Sequence, residues 1–203
     1  MSFGRVAGSA QRQHAITIPC RYNPRMHQPL RLHPASSCFA VAHLEVEVSR
    51  ERACSLVFAY ALTARISDLA MPPVAAAARA DALWRHTCFE AFVGSPLDVA
   101  YYEFNFAPST QWAAYRFSSY RTGMRIATEI SSPKIAVESS RDRYILRASL
   151  ELDQLLLSRG PMWRLGLSAV IEEASGHQSY WALAHPPGKA DFHHSDCFTL
   201  ELV

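Results

Sequence analysis

Residues 84–106 contain two runs of alternating side chains joined by a Gly-Ser-Pro turn, and this pattern constrains the fold more than any other feature of the chain. Successive side chains of an extended strand point to opposite sides. In the first run Phe89, Ala91 and Val93 share one face, while Trp84, His86, Cys88 and Glu90 share the other. In the second run Tyr102, Phe104 and Phe106 form the apolar set, opposed by Tyr101, Glu103 and Asn105. The two runs read as an antiparallel hairpin with carboxylates, an amide and aromatic rings on the face turned away from its core. A polar ligand such as a sugar needs a surface of this kind, although the hairpin does not identify the ligand.

Strand-like segments recur along the rest of the chain. They are read at Leu30–His33, Phe39–Val48, Ser55–Thr63, Gln111–Ser118, Lys134–Ser139, Arg143–Leu150, Met162–Glu172, Ser179–Leu183 and Cys197–Val203. A short helical turn is expected at Leu152–Leu157, and at most a short helix in the proline-bearing stretch Ser67–Arg79. In Gln111–Ser118 the alternation is read with Ala113, Tyr115 and Phe117 inward and Trp112, Ala114 and Arg116 outward. A neighbouring strand would thereby add a ring and a guanidinium to the polar face. In Trp163–Ile171 the inward set is Trp163, Leu165, Leu167, Ala169 and Ile171, while Gly166 and Ser168 opposite are small enough to leave room for a ligand. Many short strands with no strand-helix alternation predict an all-β fold, a two-sheet antiparallel β-sandwich with one or two short helical turns. Residues 1–25, polar and interrupted by prolines, are read as an irregular extension with some strand character at Ala15–Ile18, and 26–203 as one domain.

Composition excludes several partners. Of the 203 residues 49% are hydrophobic and 19% charged, an ordinary globular balance with enough chain for one sizeable core. A net charge of +2 without a basic stripe argues against nucleic acid. The longest apolar run, Cys54–Ala64, is far below the roughly 20 residues of a membrane-spanning helix. No signal-peptide core is visible near the N-terminus. Five cysteines at 20, 38, 54, 88 and 197 form no Cys-x-x-Cys pair and read as reduced, mostly buried thiols. A cytoplasmic protein is the expectation from these features.

The run Leu83–Val93, followed by Tyr102-Glu103-Phe104-Asn105-Phe106-Ala107-Pro108-Ser109, resembles the DOMON-like domains related to family 9 carbohydrate-binding modules. Trp112–Tyr115 and the terminal Phe192–Phe198 extend the resemblance over roughly residues 28–203. The resemblance implies a two-sheet β-sandwich whose relatives bind sugars or, in a cytochrome branch, haem. It places Trp84 where sugar-binding relatives often carry a stacking ring, and Glu90 at the acidic position of the following strand. For haem, Met124 with His185 or His193 would be the axial candidates, and the lack of Cys-x-x-Cys-His excludes c-type attachment. Some relatives carry structural calcium, but no Asp-x-Asp-x-Asp-Gly loop occurs here.

These readings converge on a non-catalytic module that binds a carbohydrate or a related polar small molecule. Sugars combine apolar C–H patches with hydroxyls, so rings and charged or amide groups are the required chemistry. Trp84, Trp112 and Trp181 are the candidate rings, and His86, Glu90, Glu103, Asn105 and Arg116 the candidate polar contacts. The plain structural alternative is a salt-bridged exposed sheet with tryptophans in the core, Trp163 among them. The segment from His185 to Asp196 offers His185, His193 and Asp196 as weak metal candidates, with a hydrogen-bonded loop as the competing account. No cofactor is firmly implied. A glycosidase-like use of Glu90 and Glu103, whose carboxyls would need to lie about 5–9.5 Å apart, remains an alternative, as does a protein-interaction scaffold using the same face.

Overall fold

The computed structural model describes residues 25–52, 55–157 and 162–202, and they form two antiparallel sheets. The extension expected over 1–25 lies outside the described residues apart from Arg25, as do Cys20 and Cys54. The smaller sheet runs in the order β1 (Met26–Pro29), β3 (Val41–Arg52), β4 (Ser55–Ala64), β10 (Arg143–Glu151) and β9 (Lys134–Ser139). The larger has β2 (Arg31–Leu32), β12 (Gln178–Ala182), β11 (Trp163–Glu172), β5 (Cys88–Gly94), β6 (Tyr101–Phe106), β7 (Trp112–Phe117) and β8 (Arg125–Ile126) in that order. A final strand, β13 (Leu200–Leu202), pairs with the start of β11. The expected sandwich is therefore the observed architecture. Two strands were not anticipated: β1, because Met-His-Gln-Pro carries no strand pattern and forms by pairing with Glu45–Val48, and the two-residue β8, which is too short to show alternation and pairs with Tyr115–Arg116.

The sheets meet through their alternating apolar faces. Leu56, Phe58, Tyr60 and Leu62 of β4 and Tyr144, Leu146, Ala148 and Leu150 of β10 point across to Phe89, Ala91 and Val93 of β5 and Tyr102, Phe104 and Phe106 of β6. Leu165, Leu167, Ala169 and Ile171 of β11 join them as the alternation predicts, and the half-buried Trp163 packs against the cluster. Hydrogen bonds tie the layers through this core: the Tyr60 hydroxyl donates to the backbone carbonyl of Glu90 at 2.6 Å, and the Tyr144 hydroxyl donates, at a longer 3.4 Å, to the Pro108 carbonyl beside β6. A buried hydroxyl needs such a partner, because desolvating it unpaired costs about 1–3 kcal/mol.

The opposite face of the large sheet is also covered, which alternation did not foresee. Every residue of β5 and β6 is buried. Phe92, Tyr101, Tyr115, Phe117 and Val170 on that outer face pack against Phe192, Cys197 and Phe198 from the segment preceding β13. Gly166 makes room for this segment, since a Cβ there would lie 3.3 Å from the Cys197 carbonyl and 3.5 Å from the Phe198 ring. The short turns are 3-10: Ile66–Asp68, Leu83–Arg85, Leu152–Gln154 within the turn expected at 152–157, and Ser195–Cys197. The 67–79 stretch has no helix beyond the first of these, and it docks on the sheet through Ala75 N–H to the Ser109 carbonyl and Trp112 N–H to the Ala78 carbonyl. Cys88 and Cys197 are buried free thiols and Cys38 is a half-buried one.

The parity of β7 is the reverse of the sequence reading. Tyr101, Glu103 and Asn105 pair with Phe117, Tyr115 and Ala113, so those three residues share the outer face with the carboxylates. Trp112 and Ala114 consequently belong to the inter-sheet core. Arg116 is on that inner side too, where its Nη2 donates to the Leu156 carbonyl at 3.2 Å. A five-residue connection, with Thr110 at φ 69°, sets this register, and a shift of one residue in a strand exchanges its faces. Trp181 is likewise turned inward opposite Ala169, its indole N–H donating to Ser179 Oγ at 3.0 Å.

Truncating Leu146, which is fully buried between the sheets, is expected to cost about 3 kcal/mol as Leu146→Ala in a urea or guanidinium unfolding series. Tyr60→Phe should cost about 1 kcal/mol through the lost interlayer hydrogen bond. Thr63→Ala, exposed on the same strand as Tyr60, should stay within about 0.5 kcal/mol of the parent.

Candidate functional site

On the outer face of the large sheet, an open pocket of about 570 Å³ lies over the middle of β5, β6 and β11. Its floor carries Glu90 and Glu103, two carboxylates on adjacent strands set diagonally, two residue pairs apart, since Glu90 pairs with Asn105 and Glu103 with Phe92. Rings stand around them: Trp84 from the Leu83–Arg85 turn, Phe117 from the end of β7, Tyr180 from β12 and Phe192 from the C-terminal segment. Arg121, Met124, Gln178 and His193 complete the wall. Trp84 is partly exposed and sets its ring edge-on to Tyr115, 5.7 Å between centroids.

The floor carboxylates are held by neutral donors. Ser168 Oγ donates to Glu90 Oε2 at 3.1 Å, and Asn105 Nδ2 donates to Glu103 Oε1 at 2.7 Å. Asn105 is fully buried and takes the Cys88 thiol on its own oxygen, so it fixes Glu103 from beneath the pocket. Both acids are nearly inaccessible, at 3% and 5% exposure. Burial, followed by the charge of Glu103, pushes the Glu90 carboxyl well above the usual range, against the pull of Ser168 and Arg121. Burial also raises Glu103, countered by Asn105 and Arg121. Two like charges in a low-dielectric pocket resist ionising together. The Cys88 thiol beneath them is raised by burial and by both acids.

His193 sits at the edge of this pair, its Nε2 3.7 Å from Glu103 Oε2. That separation is within ion-pair range but too long for a hydrogen bond, and burial together with the Arg121 charge lowers the imidazole to about 4. At neutral pH it is therefore an uncharged ring, not a counter-ion, with Nδ1 2.9 Å from the Tyr101 hydroxyl. Arg121 is committed elsewhere as well. Its Nε and Nη2 both donate to Asp191 Oδ1, at 3.1 and 2.7 Å, while the Tyr120 hydroxyl donates to Asp191 Oδ2. Asp191 Oδ1 also accepts the His193 backbone N–H at 3.1 Å. This clasp, reached through a left-handed backbone at Arg121 (φ 52°), holds the β7–β8 loop against the segment that brings Phe192 and His193 over the sheet.

Of the residues singled out from sequence, the pocket gathers Trp84, Glu90 and Glu103, with Asn105 directly behind. His86 is not among its lining residues; it is exposed, with Nδ1 2.8 Å from Glu172 Oε2, in an adjacent cleft. Trp112, Arg116 and Trp181 do not contribute, since parity turns all three to the inner face. The metal candidates are dispersed: His193 lines the pocket, His185 Nε2 meets the Arg31 carbonyl at 2.8 Å, and Asp196 lies beside His194. Among the described residues no cluster of three or more His, Cys, Asp or Glu side chains is arranged to hold a metal ion. Met124 and His193, named as haem candidates, both line the pocket, whereas His185 does not. Reading residue by residue missed Phe117, Arg121, Gln178 and Tyr180. The alternation of Gln178-Ser179-Tyr180-Trp181 did contain Tyr180, but the larger indole of Trp181 drew the assignment to the wrong face.

No protein-family model and no curated protein matches the chain significantly. Among solved structures it is similar to a Bacteroides uniformis protein provisionally assigned to carbohydrate binding, 13% identical, with a TM-score of 0.61 over 86% of this chain and 84% of that one. Weaker similarities, both at 11% identity, are to family 9 carbohydrate-binding modules from Caldicellulosiruptor kristjanssonii. One, in complex with cellotriose, has a TM-score of 0.47 over 81% of this chain and 75% of that one; the other, with glucose, 0.43 over 92% and 84%. The first likeness agrees with the two-sheet sandwich described above. No helix among the described residues is long and apolar enough to cross a membrane.

The buried acid at the floor has a measurable stability cost. Because the folded state raises the Glu90 carboxyl, it holds that proton more tightly than the unfolded chain, and stability falls as pH rises above the ordinary glutamate value of about 4.3. Glu90→Gln, which cannot ionise, is expected to raise the melting temperature by ~3 °C at pH 8 and to match the parent below about pH 4. Thermal unfolding across that pH range checks both ends.

Proposed function

We propose that this protein is a non-catalytic carbohydrate-binding module whose ligand occupies the pocket over Glu90 and Glu103. The observation that carries the reading is the pairing, in one open pocket of about 570 Å³, of a hydrogen-bonding carboxylate floor with aromatic walls. The volume lies within the ordinary range for small-molecule sites. Trp84, Tyr180 and Phe192 supply flat surfaces for the C–H faces of a pyranose, and the carboxyls accept hydroxyl hydrogens. Two acids kept in an environment that opposes their ionisation, inside a cleft, are a feature concentrated at functional sites. The expectation of an exposed salt-bridged face finds no support in the geometry, because both acids are buried and neither has a Lys or Arg within ion-pair distance among the described residues. The Bacteroides uniformis protein with the same sandwich is provisionally assigned to the same class of ligand.

A glycan array followed by calorimetric titration of the strongest hits tests this reading. We expect Trp84→Ala and Glu103→Gln each to weaken binding at least ~10-fold, about 1.4 kcal/mol, while Trp112→Phe on the inner face leaves affinity within about two-fold. Retention of no glycan, or unchanged affinity in both pocket variants, would overturn the assignment.

A further inference from the structure

Among the described residues the two floor carboxylates have no lysine or arginine within ion-pair distance. Among the described residues Glu90 has no ion-pair partner, and the only basic group within 4 Å of Glu103 is His193, which burial keeps uncharged. Arg121 is close enough to act on both acids, but two of its hydrogen bonds go to Asp191, which balances its charge. Arg85 lies at the rim on an exposed turn. Glu90 and Glu103 are therefore acids with no Lys or Arg within ion-pair distance among the described residues, held in place by the neutral donors Ser168 and Asn105. Around them stand the faces or edges of Trp84, Phe117, Tyr180 and Phe192.

We propose that the occupant of this pocket is a cationic saccharide, an amino sugar whose free ammonium group is received between Glu90 and Glu103 inside the ring of aromatic side chains. This inference rests on the saccharide reading and names the class of sugar. An ammonium carries three N–H donors and no acceptor, which suits a floor of carboxylate oxygens. Aromatic walls add attraction for a desolvated cation within about 6 Å of a ring face. A neutral sugar would satisfy hydrogen bonds but supply no positive charge, so it would gain nothing from the ionisation of the acidic pair that burial opposes. A metal ion would supply charge too, but no three-ligand cluster is available among the described residues.

Charge balance gives the proposal a distinct signature. The unoccupied acids oppose each other's ionisation, so an entering ammonium displaces a proton from the pair into solvent. The other ionisable groups facing the acids are Cys88 beneath them, Tyr101 and His193 at one side, and Arg121 bound to Asp191. Of these, Arg121 stays charged throughout, and Cys88 and Tyr101 are shifted upward by burial and stay neutral.

Calorimetry with glucosamine, galactosamine and mannosamine, their neutral parent hexoses and their N-acetylated forms, at a mildly acidic pH where the free amino groups are already protonated, in two buffers of different ionisation enthalpy, decides the point. The expected result is at least ~10-fold tighter binding of one amino sugar than of its neutral parent, loss of the preference on N-acetylation, and buffer-dependent heat corresponding to proton release. Glu90→Gln and Glu103→Gln, confirmed as folded by their melting curves, should lose both the preference and the proton release. Equal or tighter binding of the neutral parent, or a preference that survives both substitutions or releases no proton, overturns the ammonium assignment and leaves the saccharide reading standing. If neither charged nor neutral sugars bind here and none is retained on the glycan array, both fall together.

Discussion

The eight-stranded sheet buries both of its faces, and the rest of the molecule is organised by that constraint. A sheet covered on one side only would be expected to alternate apolar and polar residues, with the polar set in water. Here the inner face meets the five-stranded sheet through Phe89, Phe104 and Phe106, and the outer face is roofed by Phe192, Cys197 and Phe198. Carboxylates on the outer face are consequently shielded and opposed by their surroundings instead of solvated, which gives Glu90 and Glu103 their unusual electrostatics. The roof packs on the sheet through Phe192, Cys197 and Phe198, and the Arg121–Asp191 clasp joins the β7–β8 loop to the segment carrying Phe192 and His193.

Stability and binding pull in opposite directions at the pocket floor. Ser168 and Asn105 offset part of the desolvation of the two acids with neutral hydrogen bonds, and the nearest guanidinium is directed at Asp191. Such a floor is poised to gain from a ligand that brings donors or positive charge. The neutral His193 and the Tyr101 hydroxyl beside it add a polar edge without adding a counter-charge.

Much of this was legible strand by strand. The alternation in β5, β6 and β11 places Glu90, Glu103, Asn105 and Ser168 together, because the polar residues of each strand fall on one parity while the other is wholly apolar, even though Phe92, Tyr101 and Val170 share the polar parity. In β7 the rule has no purchase: Trp112, Tyr115 and Phe117 put large rings on both parities, so either face is acceptable until the turn at Thr110 sets the register. The same ambiguity in Tyr180-Trp181 exchanged the residue that lines the pocket for one that fills the core. Arg121 and Phe192 reach the pocket from loops, where periodicity carries no information about direction.

What the sequence determined by itself is the class of fold and the polar centre of the candidate site, since both follow from period-two burial within single strands. Tertiary structure alone decided which aromatic residues surround that centre, that the acids are buried and not exposed, and that the nearest arginine is engaged by Asp191. Each of these depends on contacts between segments far apart in the chain: Glu90 with Ser168, Arg121 with Asp191, Phe92 with Phe198. Local alternation states which way a side chain points relative to its own strand, and only the assembled sheets and the segment laid over them determine whether that direction leads to water, to core or to a ligand.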